Sequence, residues 1–96
     1  MATLKQTDEF GKWLKGLDVG TRAKVLVRMD RLRQGNPGDV APVGEGISEM
    51  RIHFGPGHRL YYKQQGDVAI FLFGGDKDSQ KADVTKAKQI AKELED

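Results

Sequence analysis

Residues 49–63, EMRIHFGPGHRLYYK, hold five groups suited to meeting an anion: Arg51, His53, Arg59, Tyr61 and Lys63. Arg and Lys bring permanent charge, the planar guanidinium matches phosphate oxygens, and His exchanges protons near neutral pH. Odd positions along a strand share one face. With Gly55-Pro56-Gly57 as a three-residue loop, Phe54 pairs with His58, Ile52 with Leu60 and Met50 with Tyr62, which gives an apolar side. The other side then receives Glu49 with Lys63, Arg51 with Tyr61, and His53 with Arg59. A one-residue slip would exchange the two sets. A sheet face turned to water is polar too. Lys and Glu would serve solvent equally well, however, whereas two Arg beside a Tyr suit phosphate or base contacts.

Other groups extend this pattern. GGDK at 74–77 offers backbone N–H groups and the Lys77 ammonium to a phosphate. It lacks the GxxxxGK spacing of a nucleotide-binding loop and reads equally as a turn. Between Arg22 and Arg33, five cations (Arg22, Lys24, Arg28, Arg31, Arg33) face one acid, Asp30. A helix face turned toward a polyanion looks like this, and so does a solvated one. His53 and His58 fall on opposite faces in this register, so a two-His metal site is not expected. Nothing resembles a Ser-His-Asp or paired-carboxylate centre, and no cofactor is expected.

The elements that must position these groups follow from periodicity. ATLKQ at 2–6 reads as a short strand, and Thr7 as an N-cap with Asp8 and Glu9 favourable to the helix dipole. Phe10, Trp13, Leu14 and Leu17 then make an amphipathic helix, with Trp13 read as core rather than as a base-stacking platform. A second helix spans about 20–34. Val25, Met29 and Leu32 line its buried side, Lys24, Arg28 and Arg31 another face, and Gly35 its end. The short connection predicts an antiparallel helical hairpin. GNPGDVAPVGEG at 35–46 reads as a loop, long for so small a domain. Strands follow at about 48–54, 58–64 and 67–73, the last apolar on both faces. A final helix is capped by Asp78 or Ser79, with Val84, Ala87, Ala91 and Leu94 as its core stripe. The expected order is β-α-α-β-β-β-α, an α+β fold with helices on one face of a mainly antiparallel sheet.

Composition sets the outer limits. At 96 residues the chain reads as a single domain with a modest core, so burying ions without compensation is costly. It has no cysteine, which excludes disulfides and thiolate metal sites. No apolar run approaches the roughly 20 residues of a membrane span, and MATLKQTDEF is too polar for a signal peptide. A cytoplasmic protein with no membrane partner is expected. The net charge of +2 alone does not argue for nucleic acid; its local clustering does.

The ordered segments FGKWLKGL at 10–17, RMDRLRQGNPGDVAPVGEGISEMRIHFGPGHRLYY at 28–62 and GGDKDSQKADVTKAKQIA at 74–91 carry a resemblance. They resemble the RelE/ParE toxin superfamily, in particular the HigB-like "addiction module killer" branch of bacterial toxin–antitoxin systems. The resemblance implies a RelE-like fold, a cognate antitoxin as partner, and ribosome-dependent cleavage of mRNA through the 2′-hydroxyl without a metal. It implies Arg59 as the phosphate-stabilising group, Arg51 beside it and Lys77 as a second phosphate contact. His53 or Tyr61 would exchange protons, with His53 favoured by its ordinary pKa. Gln80 would meet a base or phosphate, and Lys24, Arg28, Arg31 and Lys63 flanking RNA. His58 stands where relatives commonly carry Tyr. In this register it points to the core side and affects packing; in another it would rival His53. ParE-like relatives instead poison DNA gyrase as binding modules, and a non-toxic relative would keep only the antitoxin surface. An antitoxin segment, acidic or amphipathic, is expected over the Arg51/Arg59 face or in place of the last helix.

Overall fold

Thr7 joins the first two elements, β1 (Thr3–Gln6) and α1 (Asp8–Lys15). In the computed structural model, which describes residues 1–95, its Oγ1 accepts from the Phe10 amide at 3.0 Å and donates to the Leu72 carbonyl at 2.7 Å. One hydroxyl thus caps the helix and fixes its start to the sheet. Phe10 is fully buried, and Trp13, Leu14 and Leu17 pack beside it. Asp18 caps α2 (Val19–Arg33) by accepting from the Thr21 amide at 3.1 Å and the Thr21 hydroxyl at 2.6 Å. Val25, Met29 and Leu32 form its buried stripe, as their spacing predicts, and Gly35 (φ 90°) ends the run. The two helices follow one another with only three residues between them and contribute to one apolar cluster against the sheet.

The remaining elements are β2 (Val40–Gly44), β3 (Ile47–Ile52), β4 (His58–Gln65), β5 (Val68–Asp76) and α3 (Gln80–Glu95). The strands form one five-stranded sheet, ordered β1-β5-β4-β3-β2, parallel at β1/β5 and antiparallel elsewhere. The α+β class and mainly antiparallel sheet are as expected, with one strand added. Residues 35–46 are not a structureless loop: Val40–Gly44 pairs with β3 along the sheet edge. Pro and Gly mask its alternation, and a proline is tolerated there because an edge strand leaves half its N–H groups unpaired.

Helices cover both faces of the sheet, not one. Met50, Ile52, Leu60, Tyr62, Ala69 and Phe71 meet α1 and α2. Ile47, Tyr61 and Leu72 meet Ala87, Ile90 and Ala91 of α3. Ile90 completes that stripe in place of Leu94, which is 56% exposed. A strand that is apolar on both faces demands this second layer, since each large side chain left in water forfeits roughly 1.5–3 kcal/mol. β5 also runs through Gly74 and Gly75 rather than turning at them. A Cβ at Gly74 would overlap the Trp13 ring, and one at Gly75 the Asp83 carboxylate.

Candidate functional site

The β3/β4 hairpin pairs Ile52 with His58, Arg51 with Arg59, Met50 with Leu60 and Glu49 with Tyr61. This lies two residues from the expected register. An even shift keeps each side chain on its expected face, so Arg51, Arg59, Tyr61 and Lys63 still share one side. It removes His53 from the strand and leaves His53–Gly57 as a five-residue loop. Within that loop the Gly57 amide donates to the Phe54 carbonyl at 3.2 Å. Gly57 has φ 80°, and Lys77 Cβ lies only 3.7 Å from where its Cβ would stand.

The loop, Arg59 and Lys77 line an open pocket of about 410 Å³. Three predicted site residues, His53, Arg59 and Lys77, therefore meet in one place. Lys77 follows directly on β5 and has no carboxylate within ion-pair distance among the described residues. Two acids complete the surroundings. Asp39 Oδ2 lies 2.6 Å from His53 Nε2, and its Oδ1 accepts from Arg51 Nη1 at 3.3 Å. Glu49 is 1% exposed and accepts from Arg51 Nε at 3.0 Å, Arg59 Nη1 at 3.3 Å and Gln80 Nε2 at 2.7 Å. The hydrogen bond to Glu49, ahead of any other influence, holds Arg51 more firmly in its charged form. With Asp39 as acceptor, His53 Nε2 carries the proton it donates; in a neutral ring Nδ1 is then the free acceptor.

The Asp39 carboxyl sits below its ordinary value, through the His53 hydrogen bond first, with the Arg51 charge adding and burial opposing. A carboxylate lowered on folding contributes stability that is full above its unfolded pKa and disappears as pH falls through the folded one. Acidification below the ordinary aspartate range is therefore expected to release the 53–57 loop before global unfolding. Loop protection factors, corrected for the intrinsic pH dependence of amide exchange, that stay level from about pH 6 to about pH 2 (roughly crossing and passing below the aspartate range) would show the clasp to be inert.

The other expected residues divide. Tyr61 is not on an open face: it is fully buried under α3, and desolvation first, then Glu49 and Asp83, push its phenol up. Its hydroxyl makes no well-formed hydrogen bond among the described residues, with Glu49 near enough to act on it without closing one. Tyr61→Phe is therefore expected to leave the melting temperature level or slightly raised, because an unmade buried hydrogen bond costs about 1–3 kcal/mol. A sharp drop in stability would reveal a partner for the hydroxyl. Lys63 is held by Glu95 at 2.7 Å. Gln80 spends its amide on Glu49, and Arg28 donates to the carbonyls of Arg51 (2.7 Å) and Pro37 (3.1 Å). Arg22 likewise caps α1 through the carbonyls of Leu14, Lys15 and Leu17. Of the basic cluster, Lys24 and Arg31 remain without carboxylate or carbonyl partners among the described residues. Both line a groove of about 450 Å³ beside the pocket, sharing His53 and Phe54 with it, and Lys24 Nζ lies 4.6 Å above the Phe54 ring. His58 faces the core side, its ring 6.2 Å from Trp13.

Sequence reasoning missed Asp39 and the central role of Glu49. Glu49 had a signal, its alternation with Arg51 and His53; Asp39 had none, since only the fold brings the strand-leading segment to the hairpin.

Known proteins share the sequence and the fold. A family model described as phage derived protein Gp49-like (DUF891) matches residues 12–95. An uncharacterized protein of Haemophilus influenzae is 44% identical over 93 residues, covering 95% of this chain and 94% of the relative. A copper-bound mutant toxin from Helicobacter pylori, solved by crystallography, superposes with a TM-score of 0.55 at 23% identity, covering 82% of this chain and 98% of that one. The solution structure of a conserved hypothetical protein from the same organism gives 0.54 at 26%, covering 81% and 97%. The RelE-like fold expected from the sequence is that of these neighbours. By a match over nearly its whole length, the chain belongs to the phage-derived Gp49-like family.

Proposed function

We propose that this chain is the toxin of a toxin–antitoxin module, of the HigB-like kind, and a metal-independent endoribonuclease acting on mRNA in the ribosome. The observation that carries this reading is the convergence of Arg59, Lys77 and the Asp39-held His53 on one open pocket. The resemblance in sequence and the toxin among the structural neighbours support it.

Strand cleavage through the 2′-hydroxyl needs three things: a base for the 2′-proton, positive charge for the phosphorane, and a proton for the departing 5′-oxygen. His53 Nδ1 takes the 2′-proton while Asp39 holds Nε2–H, as a carboxylate orients an imidazole. The 2′-oxygen attacks phosphorus, the bond to the 5′-oxygen breaks, and a 2′,3′-cyclic phosphate is left. Arg59 and Lys77 bear the phosphorane charge, and either Lys77 or water protonates the 5′-oxygen. Tyr61, buried beneath α3, acts on packing rather than on the proton. A cognate antitoxin is the protein partner.

Inducing the chain in a bacterium and mapping new mRNA 5′ ends tests this reading. New ends are expected within translated codons. Growth arrest with DNA breaks and no such ends would replace it with gyrase poisoning, and absence of arrest with a non-toxic relative.

Lys24 and Arg31 flank the pocket and contribute salt-dependent affinity. The double variant Lys24→Ala/Arg31→Ala is expected to lower the log–log salt slope of single-strand RNA binding by about 1.4, near 0.7 for each phosphate no longer neutralised. An unchanged slope would place the RNA elsewhere.

A further inference from the structure

Glu49 is an anion buried beside a pocket suited to phosphate. Its 1% exposure and three donors, on β3, β4 and α3, mark it as a fixed part rather than a stray charge. By Coulomb attraction alone it works against anion binding, so its presence calls for another reason. The carboxylate is held at both ends. Oε2 accepts from Gln80 at the start of α3, while Oε1 is shared by Arg51 Nε and Arg59 Nη1. Arg59 has no other protein acceptor among the described residues: its Nε is buried without a partner, and the side chain is 15% exposed. The placement of its guanidinium therefore depends on this one carboxylate.

We propose that Glu49 is the positioning residue of the site, setting the Arg59 guanidinium at the pocket, and that Gln80 transmits the seating of α3 to that arginine. This rests on the phosphate reading of the pocket and adds a dependence of that pocket on the helix packed behind it. Preorganised donors are worth more than mobile ones because no reorganisation is needed when charge develops. Gln80, implied by resemblance to touch RNA, would then act through Glu49.

Charge and position predict opposite signs, which makes the proposal testable. Glu49→Gln removes a negative charge from the pocket's edge, so a purely electrostatic or packing role leaves anion binding equal or tighter. Positioning makes it weaker. The probe is a 2′-O-methyl RNA hexamer, which cannot be cleaved through its 2′-oxygen; its Kd is read alongside the Arg59 Nε–Hε resonance and the melting curve. The expected result is at least fivefold weaker binding in Glu49→Gln, with the Arg59 resonance shifted or broadened. Gln80→Ala should give a smaller change of the same sign. Equal or tighter hexamer binding by Glu49→Gln overturns the proposal. If Glu49→Gln does not melt cooperatively, Gln80→Ala decides: unchanged binding and an unchanged Arg59 resonance overturn it. Wild-type chain that binds no hexamer, while Glu49→Gln still moves the Arg59 resonance, upholds the hold of Glu49 on Arg59 and discards the phosphate reading.

Discussion

Arg59→Ala is expected to abolish the new mRNA 5′ ends and to lower cleavage in a reconstituted translation assay by about 10²–10³-fold, the usual effect of removing one preorganised charge-stabilising donor. Among the described residues, Arg59 is the guanidinium that both lines the pocket and is anchored to a buried carboxylate. Arg51 is held by Glu49 and Asp39 and does not line it. Arg51→Ala should consequently cost less than Arg59→Ala. Removing Arg59 also leaves Glu49 with one cation fewer, and uncompensated buried charge destabilises. The experiment needs a melting curve beside the rate, and Arg59→Lys as a companion: it keeps the charge but loses the planar fork, and should recover stability more than rate. Wild-type cleavage by a folded Arg59→Ala chain would remove Arg59 from the chemistry and this pocket from the proposed function.

Gly74→Ala is expected to destabilise the fold markedly. Its Cβ would overlap the Trp13 ring, which is partly buried and packs beside Phe10 (centroids 5.5 Å apart) and His58 (6.2 Å). Overpacking a filled core costs typically about 1–3 kcal/mol, occasionally more, and a rigid aromatic neighbour argues for the upper end. Denaturant unfolding should show a lower midpoint at unchanged slope. The same substitution at Gly75 meets the Asp83 carboxylate, which is buried and accepts from Ser79 Oγ, and should displace the start of α3. Gly74→Ala unfolding within about 0.5 kcal/mol of wild type would mean that Trp13 repacks. The Gly-Gly pair, read from sequence as a turn or phosphate-binding loop, is thus explained by two close approaches, one on each face of β5.

The Lys24/Arg31 groove and the pocket share the wall formed by His53 and Phe54. On the proposed reading, RNA reaching both would cross that wall, with Lys24 and Arg31 meeting the flanking strand and Lys77 with Arg59 meeting the bond to be cleaved. The remaining cations of the basic run serve the fold: Arg22 closes α1, Arg28 ties α2 to β3, and Arg33 pairs with Asp30 at 2.8 Å. A count of charges overstated the polyanion surface. Guanidinium groups bond backbone carbonyls as readily as phosphates, and composition does not distinguish the two.

What the sequence determined by itself is what local periodicity and short-range chemistry encode. Phe10, Val25, Met29 and Leu32 announce two amphipathic helices; Thr7 and Gly35 mark their outer limits; the two-residue alternation puts Arg51, Arg59, Tyr61 and Lys63 on one face, even with the register misjudged by two. Arg59, Lys77 and His53 were legible because residue type and spacing within one hairpin, and at the end of one strand, suffice to suggest them. Tertiary structure alone decided the rest. β2 was hidden because its pairing partner, not its own Pro- and Gly-rich sequence, makes it a strand. The open cationic face became half a core because α3 packs across it, burying Tyr61 and recruiting Gln80. Asp39 and Glu49 entered the site through contacts between separate strands and a helix, and such contacts are fixed by the packing of layers that no local pattern records.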